Sequence, residues 1–86
     1  MRIDELKKIA KENDYKLEKL NDRKEIILTR RVSIDGFLAN FITISLDFEN
    51  QIWIKNINCS KKDLNMIKAA IEFAETPISD RKIYEN

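Results

Sequence analysis

Residues 41–56 read FITISLDFENQIWIKN. Two runs of alternating apolar and polar residues flank a short polar break, the pattern of two half-buried strands joined by a turn. Ile42, Ile44, Ile52 and Ile54 fall at even positions, whereas the only tryptophan, Trp53, falls at an odd one. Strand side chains alternate between the two faces of a sheet. The indole therefore projects away from the isoleucine face, and this parity organises the rest of the chain.

Upstream, EIILTRRVSI is rich in β-branched residues and predicts another strand. The DGF that follows holds the only glycine of the chain, a hairpin signal between two strand-like runs. A three-residue loop Ile34-Asp35-Gly36 puts Gly36 in the left-handed position such loops need. Ser33 then faces Phe37, Val32 faces Leu38, Arg30 faces Asn40, Leu28 faces Ile42 and Ile26 faces Ile44. A two-residue loop would mix the faces, so the first register is preferred. The same logic at Phe48-Glu49-Asn50 gives a second three-residue loop, with Asn50 left-handed, Leu46 opposite Ile52 and Ile44 opposite Ile54. Ile26, Leu28, Val32, Leu38, Ile42, Ile44, Leu46, Ile52 and Ile54 then share one face. YKLEKL adds a short first strand, and NDRK is the turn that follows it.

A helix is expected at each end. In RIDELKKIAKEND, Ile3, Leu6, Ile9 and Ala10 recur at helical spacing, with Asp4 and Glu5 suited to the N-terminal dipole and Asn13-Asp14 as a stop. In SKKDLNMIKAAIEFAET, Ser60 and Asp63 form a capping-box pattern. The expected buried stripe is Leu64, Ile67, Ala70, Ile71 and Ala74, flanked by Met66 and Phe73, and Pro77 ends the helix. The expected fold is α+β with order α-β-β-β-β-α, a four-stranded antiparallel sheet with both helices on the isoleucine face. Residues 1–78 form a single domain, and 79–86 (SDRKIYEN) form a loosely ordered tail, with Ile83 and Tyr84 as its docking points.

Composition narrows the function classes. Sixteen basic residues against fifteen acidic ones give a net charge of +1. The balance holds in both terminal thirds, so there is neither a basic field for duplex DNA nor the acidic surface of a DNA mimic. No apolar run is long enough for a bilayer span, and MRIDELKK lacks the apolar core of a secretory signal. One cysteine permits no internal disulfide, which fits a reducing cytoplasm. The absence of histidine removes the commonest general base and metal ligand. Cys59 precedes the second helix, where a dipole could activate it, but its expected role is a small buried filler. No catalytic residue, metal site or cofactor is expected, and the chain reads as a non-enzyme.

The face opposite the isoleucines carries Ile27, Thr29, Arg31, Ala39, Phe41, Thr43, Ser45, Trp53, Lys55 and Ile57. In the expected register Trp53 lies opposite Ser45, and Lys55 opposite Thr43. An antiparallel sheet with helices on one side leaves its other side to water. Aromatic side chains beside Arg and Lys are enriched at binding surfaces. Trp53, Phe41, Arg31, Lys55 and Thr43 are therefore the candidate partner-binding residues. Three alternatives remain open: a half-apolar solvent face or one covered by the C-terminal tail folding back over Trp53, a stacking platform for single-stranded nucleic acid, and a structural homodimer through this face or an edge strand. Arg30 falls on the helix-covered side opposite Asn40, where its expected role is to reach the sheet edge or pair with an acidic residue of a helix.

The stretches ISLDFENQIWIKN and LNMIKAAIEFAETPISDRK, with the opening LKKIAKENDYK, resemble small uncharacterised proteins encoded by phages and prophages of Firmicutes. The specific element is a segment of the form A-x-T-P-I-x-x-R, here Ala74, Thr76, Pro77, Ile78 and Arg81 with their intervening residues. The acidic run near that segment is reduced here to Ser79-Asp80. The family has no established activity, and no functional residue is carried over from it. The resemblance implies an accessory protein working in the host bacterial cytoplasm by binding and inhibiting a host protein. Inhibitors of CRISPR effectors and of other defence systems are common among such chains.

Overall fold

A computed structural model describes residues 1–33, 35 and 38–83. The order is α1 (Ile3–Glu12), β1 (Lys16–Leu20), β2 (Glu25–Arg31), β3 (Ala39–Ser45), β4 (Ile52–Lys55) and α2 (Lys61–Glu75), followed by a 3-10 turn at Ile78–Asp80. The strands form one antiparallel meander, β1-β2-β3-β4. Leu6 and Ala10 of α1 and Met66, Ala70 and Phe73 of α2 form one buried cluster with Ile26, Leu28, Ile42 and Ile44 of the sheet. Both helices therefore cover the isoleucine face, and α1 leans toward β1 while α2 lies over β3 and β4. This is the expected α+β architecture.

The β2–β3 register is the expected one, with Ile26 opposite Ile44, Leu28 opposite Ile42 and Arg30 opposite Asn40. The Val32 N–H closes the pairing onto the Leu38 carbonyl at 2.9 Å. Ile34, Gly36, Phe37 and the expected left-handed glycine lie outside the described residues.

The β3–β4 register differs from expectation by two residues. Ile44 faces Ile52 and Ile42 faces Ile54. The connection is longer than a three-residue loop, because the pairing closes at the Ser45 N–H and the Gln51 carbonyl (3.1 Å). Leu46 leaves the ladder altogether, with its N–H on the Lys24 carbonyl (2.8 Å) and its side chain in the core. The Ser45 hydroxyl accepts from the N–H groups of Asp47 and Phe48 and starts the turn. Asn50 is left-handed as expected, at φ 63°, and its N–H reaches the Ala74 carbonyl at the end of α2 (2.8 Å). A slip of two preserves the pleat, so every residue stays on its expected face.

Helix α2 is rotated from the expected phase. Asp63, Met66, Ala69, Ala70, Phe73 and Ala74 are buried, whereas Leu64 and Ile71 are 46% and 40% exposed. The cause is Asp63, which is 0% exposed. Arg30 binds it through Nε–Oδ1 (2.8 Å) and Nη2–Oδ2 (2.6 Å). The Tyr15 hydroxyl (2.7 Å) and Asn40 Nδ2 (3.0 Å) also donate to Oδ1. The Ser60 N–H (2.8 Å) and hydroxyl (2.9 Å) donate to Oδ2 and complete the N-cap. Arg30 thus finds the acidic helix partner that its inward position called for. Arg30 above all, then the other donors, holds the Asp63 carboxyl well below its ordinary range against the opposing effect of burial. Burial and the adjacent carboxylate push the Tyr15 hydroxyl up to about 12.

The segment expected to be a loose tail from Ser79 is anchored as far as Ile83. Ser79 and Asp80 complete the 3-10 turn, Ile83 joins the core, and Arg81 is 0% exposed. The guanidinium of Arg81 donates to the carbonyls of Thr76 (2.9 Å), Ser45 (2.8 Å) and Ala74 (2.8 Å) and lies 4.8 Å from the Phe73 ring centre. It supplies the cation that the last turn of α2 lacks. Its own carbonyl caps α1 at the Ile3 N–H (2.6 Å). Residues 84–86 lie outside the described residues.

Asp63→Asn leaves Arg30 without its counter-charge and should cost about 3–5 kcal/mol of stability at neutral pH. The lowered carboxyl pKa stabilises the fold above the unfolded-state value of 3.8, and this contribution is lost as pH falls toward the native value. Thermal melts from neutral to acidic pH should therefore fall steeply for the parent protein and stay flatter for the variant. Arg81→Lys cannot span three separated carbonyls with one ammonium. It should cost about 2–3 kcal/mol, measurable by urea unfolding, and a variant as stable as the parent would refute the clamp.

Candidate functional site

The face turned away from the helices is built by the odd positions of β2, β3 and β4. Phe41 lies opposite Lys55, and Thr43 lies opposite Trp53. The two-residue slip corrects the expected neighbours, which were Ser45 for Trp53 and Thr43 for Lys55. The correction tightens the patch, because Phe41, Thr43, Trp53 and Lys55 now form a single quartet on adjacent strands. Directly opposed Cα atoms in such a ladder are about 5 Å apart, and diagonal neighbours lie within reach of aromatic rings.

Trp53 is 57% exposed and Phe41 43%. Arg31 stands opposite Ala39, one step along the same face from the Thr29–Phe41 pair, and is exposed. The structure therefore brings all five candidate residues onto one face. Four are contiguous, and Arg31 stands at the flank. Ile27, Thr29, Ala39 and Thr43 are half-buried there, and Ser45 is buried at the end of β3.

Towards β1 the face becomes charged. Lys16 and Glu18 pair at 3.1 Å. An open depression of about 290 Å³ is lined by Asp14, Lys16, Glu18, Thr29, Arg30 and Arg31. Its charges are of both signs. Asp14 pairs with Lys62, which lowers its carboxyl pKa, and Arg30 is held by Asp63. The depression therefore carries a field of mixed sign.

The residues with strongly perturbed ionisation are structural. Asp63 and Tyr15 spend their hydrogen bonds on each other and on neighbouring elements, and Arg81, lowered by burial, spends its own on carbonyls. Cys59 is exposed rather than the expected buried filler, with Asn56 Nδ2 3.7 Å from its sulfur. Among the described residues no three histidine, cysteine or carboxylate side chains come together as a metal site, and no helix is long and apolar enough to cross a membrane.

Sequence reasoning missed Tyr15, Asn40 and Arg81 as buried polar anchors. For Asn40 a signal existed, since a residue paired with an inward arginine is inward itself. For Arg81 no pattern gave it away. No protein-family model matches this chain, and neither a curated protein nor a solved structure matches it.

Proposed function

We propose that this chain is a non-enzymatic protein-binding module that docks one macromolecular partner on its open sheet face. The observation that carries this reading is the quartet of Phe41, Thr43, Trp53 and Lys55, with both aromatic rings substantially exposed on a face that the helices leave bare. Large aromatic side chains cost little conformational entropy to immobilise and provide most of the energy of typical protein interfaces. Trp53 is the anchor, Phe41 its apolar neighbour, and Lys55 and Arg31 form a polar rim that sets orientation.

The resemblance to phage and prophage proteins supplies the class of partner, a host defence protein such as a CRISPR effector, inhibited in the bacterial cytoplasm. A net charge of +1 favours contact by shape and apolar burial over charge mimicry.

The test uses the parent protein and Trp53→Ala as paired baits in a bacterial lysate, followed by calorimetry with the retained partner. Truncating the anchor should weaken binding by roughly 2–4 kcal/mol. In dilute single chains the exposed position of Trp53 means that the melting temperature should hardly change. A partner retained equally by both baits would remove this reading. Oligonucleotide binding that falls steeply as salt rises would replace it with base stacking on the same face.

A further inference from the structure

The two edges of the sheet are guarded differently. β1, at one edge, alternates charge along its length: Lys16, Glu18 and Lys19 are all exposed. Charged edge strands resist pairing with another chain. β4, at the other edge, reads Ile52-Trp53-Ile54-Lys55, with Trp53 and Ile54 both substantially exposed. The Ser45 N–H bonds to the Gln51 carbonyl. Antiparallel alternation then turns the backbone groups of Trp53 and Lys55 toward β3 and those of Ile52 and Ile54 toward the open edge.

Helix α2 extends this apolar edge. Its flank bearing Lys62 and Asn65 meets α1, through Asp14 and Asn13 just past the end of that helix. The opposite flank, turned toward the β4 side, carries Leu64, Ile67 and Ile71 at helical spacing. Leu64 and Ile71 are exposed there, and Ile54 lies on the same side of the sheet at 43% exposure. An unguarded strand edge and an apolar helix flank thus lie side by side.

We infer that this edge is the interface of a homodimer, in which β4 pairs antiparallel with β4 of a second copy across a two-fold axis at Trp53. That register is self-complementary. Ile54 exchanges both backbone hydrogen bonds with Ile52 of the second copy, using the groups that face outward. The two tryptophans meet as the close, non-hydrogen-bonded pair on the open face. Lys55, the only charge of β4, falls opposite Gln51 of the second copy, so no like charges oppose each other. The two α2 helices run antiparallel, their Leu64/Ile67/Ile71 flanks face each other over the seam, and Lys61 at the start of one approaches Glu75 at the end of the other. A peptide from another protein would satisfy the strand edge alone. A second copy also covers the helix flank, which is why it is the occupant assigned here.

Sedimentation equilibrium from micromolar to sub-millimolar protein is the test. The parent chain should be a dimer that dissociates on dilution, with Trp53 fluorescence shifting to the red. Ile54→Lys and Leu64→Glu lie on different elements at exposed positions. Each should raise the dimer dissociation constant roughly tenfold or more while keeping a folded circular-dichroism spectrum. Thr29→Lys, which charges the open face away from the seam, should leave the dimer intact. A parent chain that stays monomeric at sub-millimolar concentration overturns the inference. So does a dimer that survives both seam substitutions or is abolished by Thr29→Lys. Loss of the dimer alone would leave docking on the open face standing, since that reading rests on partner binding by the single chain.

Discussion

The carboxylate of Asp63 is the point on which the rest of the structure turns. It sits in the first turn of α2, fully buried, and takes hydrogen bonds from β2, from β3, from Tyr15 at the start of β1 and from its own N-cap. Withdrawing a carboxylate and a guanidinium from water costs several kcal/mol per ion. Only a carboxylate whose lone pairs are nearly all engaged offsets that cost. The return is orientation. Strand parity fixes which residues of the sheet face the helices, but a helix with apolar residues on two flanks has more than one acceptable phase. Burying Leu64 and Ile71 instead would contribute about 1.5–3 kcal/mol each. It would rotate Met66 and Phe73 outward, losing a similar amount, and would leave Arg30 inward and uncompensated. The apolar terms nearly cancel, so the ion pair decides the phase.

Arg81 does for the other end of α2 what Asp63 does for the first. The A-x-T-P-I-x-x-R segment closes on itself, because the guanidinium of its last residue returns to the carbonyls of Ala74 and Thr76. The same fork reaches the Ser45 carbonyl, and Asn50 meets the end of α2 at Ala74. The Ile78 N–H also reaches Glu49 Oε1 at 3.1 Å. The β3–β4 connection is thus pinned against the helix terminus. That attachment favours a longer connection than a tight hairpin and draws Leu46 out of the ladder. The two-residue shift at Trp53 follows from this, and with it the adjacent pairing of Trp53 with Thr43 and of Phe41 with Lys55.

The sequence was legible wherever a side chain obeys a binary rule. Alternation placed Ile42, Ile44 and Trp53 on their faces, and the Asp35-Gly36 signal gave the β2–β3 register. A miscounted loop left the faces intact because it slipped by an even number. What could not be read depends on polar groups behaving as interior ones. Asp63 and Arg81 look like surface residues in any hydropathy pattern, and their burial is favourable only through partners far along the chain. Leu64 and Ile71 look like core residues for the same reason. Their exposure follows from where Asp63 must go, and nothing local to them reports it.

This ordering of causes links the anchor to the surfaces. All the strong polar ties, Asp63 to Arg30 and Arg81 to the carbonyls, lie on the helix side of the sheet or at its rim. The open face is left without structural duties, and Trp53 and Phe41 can be exposed there without serving the core. On the helix side, the phase set by Asp63 turns Leu64 and Ile71 toward the β4 edge, away from α1. An isolated exposed leucine needs no explanation. A helical row of apolar residues beside a strand edge with a single terminal charge, Lys55, is different, because both expose surface that one contact can cover together. The interaction that fixes the interior also determines which apolar side chains are displaced to the outside, and it places them along the only edge that carries no guarding charges of both signs.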